Sequence, residues 1–295
     1  MDGLYDAIFG SGVPIKQCQS TSLSNNLELF IGRDTGDVDP ALTAVMKGEP
    51  TATITTYDVA GFISVFGVVG ASVSSGTVSL PYRKRAAGST FAGTLSHFVL
   101  TGANAFGYPT IFTAQQDGEA TATAEVRFLS TTGLANPLSS ATSQTLAAQS
   151  YNAAYTLGGA EINDVQVPEV TAVTINTGLQ VEAKYYNGSV FPTSCVITQK
   201  NPTIEITFAD ADAIDTWGPM FSDNDSQDAV AYFRKLSAGS TRVADATAEH
   251  CAFTLSDGII TVPDYSAQDT ADGSGTILIT GKSLAASATS AISFA

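Results

Sequence analysis

The chain has 295 residues, of which 13 are basic and 28 acidic, for a formal net charge of −15. That balance excludes a protein that wraps or reads nucleic acid, where Lys and Arg must neutralise phosphates. A hydrophobic content of 44% excludes a disordered chain, while a charged fraction of 14%, against roughly 25% in ordinary soluble domains, suits a surface covered by copies of itself.

Taken in chain order, residues 1–14 read as an N-terminal extension. The start, Met1-Asp2-Gly3-Leu4-Tyr5-Asp6, is acidic where a secretory signal needs basic residues, and no apolar run reaches membrane-spanning length. A chain made and kept in the cytoplasm, or leaving it inside a particle, without membrane insertion, is the expectation. Alternation and β-branched residues predict strands at Leu27–Ile31 and Thr51–Thr56, with turn residues Asp34-Thr35-Gly36-Asp37 between them. Asp58 is placed as the N-cap of a short helix with Phe62, Ile63 and Phe66 on its apolar face and Gly67 at its left-handed stop. A strand at Glu125–Leu129 closes a first domain over 15–129.

Residues 130–167, rich in Ser, Thr, Ala, Gln and Asn as far as Gly159, read as a linker or surface excursion. A second domain over 168–295 opens with strands at Val170–Ile175, Leu179–Tyr185 and Thr203–Phe208. Tyr186-Asn187-Gly188-Ser189 is a hairpin signal, because Asn-Gly accommodates the positive φ values of a type I′ turn. Asp210 to Gly218, followed by Pro219 and with Ile214 and Trp217 as its apolar face, repeats the capped helix. A second helix is predicted over Ser226–Leu236, and a last strand at Thr276–Thr280. The expected fold is mainly β: two tandem β-sandwich or barrel domains, each with one or two short helices.

The chain contains itself twice. Arg83-Lys84-Arg85-Ala86-Ala87-Gly88-Ser89-Thr90 reappears as Arg234-Lys235-Leu236-Ser237-Ala238-Gly239-Ser240-Thr241, identical at six of eight positions. Upstream, Leu27, Gly36, Val38, Pro40, Pro50, Thr51, Ile54, Thr55 and Asp58 fall on Leu179, Gly188, Val190, Pro192, Pro202, Thr203, Ile206, Thr207 and Asp210, at a constant spacing of 152. A period of that size is a whole domain, so the sequence reads as a tandem duplication.

Chemistry is thinly signalled. Cys18, Cys195 and Cys251 are too few and too scattered for a disulfide framework or a zinc site. Gly275 to Gly281-Lys282-Ser283 has five residues between its glycines where a phosphate-binding loop needs four. Asp210, Asp212, Asp215, Asp223, Asp225 and Asp228 lack the calcium-loop pattern and read as caps and solvated charge. His97 and His250, one per repeat at near-equivalent places, point to a shared structural role. The reading is therefore no enzyme, no metal and no cofactor. The repeated basic patches, Arg83, Lys84 and Arg85 and then Arg234 and Lys235, are candidates for pairing with acidic residues of a neighbouring subunit.

The segment Pro50 to Asp58 and on to Gly67, its echo from Pro202 to Gly218, and the aromatic-basic-Gly-Ser-Thr segments that follow resemble the tail tube (major tail) proteins of long-tailed bacteriophages. The resemblance covers about 15–128 and 168–283, and it lies in the order of elements. It implies a virion protein assembled in the host cytoplasm. Homotrimers of a duplicated chain would imitate a hexameric ring, and stacked rings would enclose a channel through which DNA passes as non-specific cargo. Other phage tail proteins would be its further partners. It also implies ring-stacking loops, for which Arg33–Lys47 and Asn187–Lys200 are the candidates by position. Within them lie Arg33, Asp34, Asp37, Asp39, Asn187, Gly188 and Lys200. An acidic lumen that repels phosphates follows from the same resemblance. Two other readings stay open. One is a capsid decoration or baseplate ring protein. The other is a β-sandwich module binding glycans or host surfaces, with Tyr185, Tyr186 and Trp217 as its aromatics.

Overall fold

The structure, a computed structural model, describes residues 3–4, 7–9, 14–33, 35–36, 38–73, 78–83, 97–146, 153–209, 226–237, 242–268 and 271–294. The first half contributes β1 (Gly3–Leu4), β2 (Ile8–Phe9), β3 (Cys18–Ser24), β4 (Glu28–Gly32), β5 (Leu42–Lys47), β6 (Thr51–Thr56), α1 (Val59–Phe66), β7 (Ala71–Val73), β8 (Val78–Arg83), β9 (His97–Gly102), β10 (Asn104–Gln115), β11 (Thr121–Leu129) and β12 (Leu138–Gln144). The second contributes β13 (Tyr155–Ile162), β14 (Val165–Gln166), β15 (Val170–Asn176), β16 (Leu179–Lys184), β17 (Ser194–Lys200), β18 (Thr203–Phe208), β19 (Gln227–Lys235), β20 (His250–Gln268), β21 (Ala271–Thr280) and β22 (Ser283–Ser290). The fold is mainly β, as composition and alternation predict.

A long sheet runs β14-β13-β19-β20-β21-β18-β15-β10-β11-β6-β3, with β22 added on β20 and β7 on β10. A second sheet joins β1, β8, β9 and β12, with β2 on β8. The pairs β4–β5 and β16–β17 stand as two-stranded arms. Every strand pair among the described residues is antiparallel, and the same pairing scheme occurs twice. Ile54 of β6 faces Ala124 of β11, and Ile206 of β18 faces Ile277 of β21. Val78 faces Gly102 while Ala229 faces Leu255. Phe9 faces Val78 while Ile162 faces Ala229. One step differs: β9 and β10 are separate strands with Ala103 between them, whereas β20 runs on through 19 residues.

Alternation sorts the side chains as a half-buried sheet requires. β6 and β18 share one burial pattern, with Ala52, Ile54 and Thr56 inward in one and Ile204, Ile206 and Phe208 inward in the other. The inward residues form one cluster that spans both halves. An aromatic chain runs through it: Phe62 against Phe112 at 5.4 Å, Phe112 against Phe253 at 4.6 Å and Phe253 against Phe233 at 5.0 Å. Ala7 and Phe9 of the N-terminal extension join this core. So do Tyr155, Ala160, Ile162 and Val167 of the 130–167 segment, which carries β12, β13 and β14 where a linker was expected.

Helix α1 follows its sequence signals. Asp58, fully buried, accepts the Gly61 amide at 3.1 Å and the Lys16 amide at 3.1 Å, tying the helix start to the chain before β3. Gly67 ends the helix at a φ of 56°, a conformation that favours glycine. The helix predicted over Ser226–Leu236 is instead β19, which pairs on both sides, with β13 and with β20. Ala229, Ala231 and Phe233 point into the core at period two, and pairing on both edges satisfies backbone groups that a helix would have bonded internally. The second capped helix, Asp210 to Gly218, lies outside the described residues.

Candidate assembly surfaces

The two halves meet edge to edge. β15 of the second half pairs with β10 of the first, from Ile111 opposite Asn176 to Gln115 opposite Ala172, which makes the long sheet continuous. By the repeated scheme, the counterpart of β15 is β3 and the counterpart of Ile111–Gln115 is Asp264–Gln268 of β20. Among the described residues β3 pairs only with β6, and Asp264–Gln268 pairs only with β21. The outer edge of β3, at one end of the long sheet, and the stretch of β20 beyond its pairing with β19 thus present the two halves of the joint made once inside the chain.

The β16–β17 arm strengthens that joint. The tip is the turn foreseen at Asn187-Gly188: φ is 53° and 71°, and the Ser189 amide donates to the Tyr186 carbonyl at 2.9 Å. It caps a longer loop than a two-residue hairpin, because pairing stops at Lys184 opposite Ser194. The loop is seated on the first half. The Gly48 amide donates to the Val190 carbonyl at 2.8 Å. The Gly133 carbonyl accepts from both Val190 and Phe191, and the Ser130 amide donates to the Pro192 carbonyl. A Cβ on Gly48 would come within 2.6 Å of the Phe191 ring, so a larger residue there would have to push the Phe191 and Leu27 side chains aside. Beside it lies an ionic cluster: Arg127 pairs with Glu49 and, at 3.0 Å, with Glu125, while Tyr185 reaches Glu49 at 3.4 Å and Lys47 lies over the Tyr185 ring. Ser72, Val73, Asn104, Phe106, Leu129, Thr193, Ser194 and Cys195 help line a cavity of about 490 Å³, open to solvent on one side, between the arm and the first half.

Among the described residues the β4–β5 arm has no such seat. Leu29, Phe30, Ile31, Leu42, Val45 and Met46 are all exposed, as is Val38 beyond β4, at 83%. A contiguous apolar patch of this kind marks an interaction surface. The proposed stacking loops are therefore hairpin arms, with β5 inside Arg33–Lys47 and β17 inside Asn187–Lys200. Arg33, Asp39, Asn187 and Gly188 are exposed and Lys200 is half-buried, while Asp34 and Asp37 lie outside the described residues.

Arg234 and Lys235 have partners within the chain: Arg234 meets Asp245 at 2.5 Å and Lys235 meets Glu249 at 2.6 Å, which lowers the Glu249 carboxyl pKa. Arg83 ends β8, half-buried, while Lys84 and Arg85 lie outside the described residues. Both histidines are buried first residues of strands. His250 Nδ1 accepts the Lys235 amide at 3.1 Å, which leaves Nε2 to donate to the Ala244 carbonyl at 3.0 Å. Burial raises the Cys195 thiol to about 11 and the Cys251 thiol to about 12, so neither is a thiolate at neutral pH. None of the three cysteines forms a disulfide. Of the acidic cluster, Asp228 accepts the Asp257 amide at 3.1 Å, and the other five aspartates lie outside the described residues. Among the described residues there is no metal-holding group of three or more His, Cys, Asp or Glu, and no helix long and apolar enough to cross a membrane.

The outward face of the long sheet is hydroxyl-lined. Thr51, Thr53 and Thr55 of β6, Thr121 and Thr123 of β11 and Thr203 and Thr207 of β18 alternate with the buried positions. Thr55 and Thr123 bond across strands at 3.1 Å. Glu125, Arg127 and Glu205 are the charges on these three strands' outward positions, so this face owes its character to hydroxyls and not to carboxylates. Sequence reasoning missed both the paired sheet edges and the ionic cluster. Glu49 and Arg127 are far apart in sequence, and neither repeats. No protein-family model matches the chain, and no curated protein matches it.

Proposed function

We propose that this chain is a structural virion protein of the tail-tube kind, assembling with itself into closed, stacked rings around a channel that passes DNA. One observation carries the reading: the joint between β10 and β15 has its two surfaces repeated, on β3 and on Asp264–Gln268 of β20, each with one edge unpaired among the described residues. An open edge is a template for another strand. Here β3 of one copy would pair with β20 of the next, Ser24 opposite Asp264 and Ser20 opposite Gln268, repeating the internal register. A head-to-tail contact of this type is heterologous, and it closes into a ring when the rotation per copy allows. Three chains would imitate six domains. The hydroxyl face of the sheet would then line the channel, offering phosphates few cations to bind.

Negative-stain electron microscopy of the purified chain at low and high concentration tests this. Rings of three-fold symmetry with a six-fold outline, or stacked hollow tubes, are expected. Isolated monomers at every concentration, in the presence as well as the absence of other tail components, would overturn it. Discrete binding of the monomer to capsids would favour a decoration protein.

A further inference from the structure

Resting on the head-to-tail reading, we infer that the joint between successive copies is closed by apolar contact, with Leu42 of the β4–β5 arm seated on Ile259 of the neighbouring copy. The internal joint supplies the template. There Thr193, Ser194 and Cys195 of the second arm face Phe106 across the cavity. The repeat places Ala41, Leu42 and Thr43 where those three stand. The strand pairing places Ile259, opposite Thr280, where Phe106 stands opposite Arg127. Both residues of the inferred pair are open in the single chain, Leu42 at 58% and Ile259 at 54% exposure, whereas Phe106 is half-buried under the seated arm. A leucine in the serine's place fills space that the internal joint leaves as a cavity.

The ionic cluster has no counterpart at this second joint. Glu49, Glu125, Arg127 and Tyr185 correspond to Asn201, Leu278, Thr280 and Arg33, so the one charged position has no acid opposite it. The cradle is missing as well. Seven residues of Ser130–Pro137, which holds Val190 and Phe191, have no equivalent, because β21 passes to β22 through Gly281 and Lys282 alone. What remains for the neighbour is backbone pairing and the apolar arm. Burying that arm removes from water the surface whose exposure in a lone chain is otherwise unexplained. The interface is therefore expected to withstand salt, since screening weakens ion pairs and leaves apolar contacts intact.

The test is the double variant Leu42→Cys with Ile259→Cys, oxidised under assembling conditions and read on a non-reducing gel beside each single variant. A ladder of covalent multimers that needs both cysteines is expected, with assembly by sedimentation unchanged between about 0.1 and 1 M salt. Rings or tubes that form without the ladder would overturn this contact and leave the tube reading standing. Neither rings nor ladder would overturn both. With the half-buried Cys18 and Cys195 replaced by Ser throughout, bands from either single variant alone would indicate a symmetric contact and also overturn it. Both sites are exposed, so unchanged circular dichroism separates a folding failure from a lost contact.

Discussion

The joint inside the chain and the open edges of β3 and β20 share one strand scheme, yet their side chains differ in kind. Inside, Arg127 is held between two carboxylates, Tyr185 reaches Glu49, and Ser130–Pro137 cradles the arm. At the open edges, the corresponding residues are Thr280, Leu278, Asn201 and Arg33, the cradle is absent, and the arm is apolar on both faces. The internal joint forms once, within one molecule, and can rely on ion pairs and a shared core. A joint between molecules must form from separate copies in solution, and apolar burial supplies association without exact charge geometry. The difference teaches that equivalent surfaces in a repeat need not keep equivalent chemistry once one of them is covalently tethered.

The largest effect should come from the core that makes the internal joint rigid. Phe253→Ala removes the ring that bridges Phe112 and Phe233 and should cost about 3–5 kcal/mol. Because the core is continuous, denaturant should unfold both halves in one transition. Two separated transitions would break the comparison at its base.

A smaller effect is expected from the ionic cluster. Arg127→Met leaves two carboxylates facing a neutral chain and should cost about 2 kcal/mol, a loss that shrinks as salt rises. Thr280→Met, at the counterpart, should change monomer stability by no more than about 0.5 kcal/mol. Equal costs at the two positions would remove the asymmetry argued above.

The smallest effect is in pH. The thiols of Cys195 and Cys251 are raised by burial, to about 11 and about 12, so the folded state holds protons that the unfolded chain gives up. Stability should be constant below about pH 8.5 and fall as pH rises toward those values, by at most about 1.4 kcal/mol per pH unit for each thiol. Cys195→Ser and Cys251→Ala should each flatten that decline, measured by urea unfolding at pH 7 and pH 9.5. An unchanged slope in the Cys195 variant would mean that the cavity beside the second arm is wetter than its lining suggests.

Much of the fold is legible in the sequence because its signals are local. Thr51–Thr56 and Thr203–Phe208 are strands to the residue, Asp58 and Gly67 bound the helix, and Asn187-Gly188 makes its turn. Period-two alternation, a side chain that can cap, and tolerance of positive φ belong to the residues themselves. The 226–236 segment misleads, since Ala229, Phe233 and Leu236 recur at helical spacing while Ala229, Ala231 and Phe233 alternate, and only the neighbouring strands β13 and β20 choose between the two periods. The candidate site was legible in part. Residues 33–47 and 187–200 carry strands of the two hairpin arms, and the basic pair Arg234 and Lys235 finds its acids at home, in Asp245 and Glu249.

By itself, then, the sequence determined the strands with clean alternation, such as Thr51–Thr56 and Thr203–Phe208, the cap at Asp58 and the turn at Asn187-Gly188, the acidic balance and the recurrence at 152 residues. Only the tertiary structure decided that the two halves share one core, that their sheets join edge to edge, and that one arm is seated while the other stands open. The physical reason is separation along the chain. Capping and alternation act between near neighbours. Packing Phe112 on Phe253, or pairing Glu49 with Arg127, depends on how distant strands are brought together, and no local pattern records it.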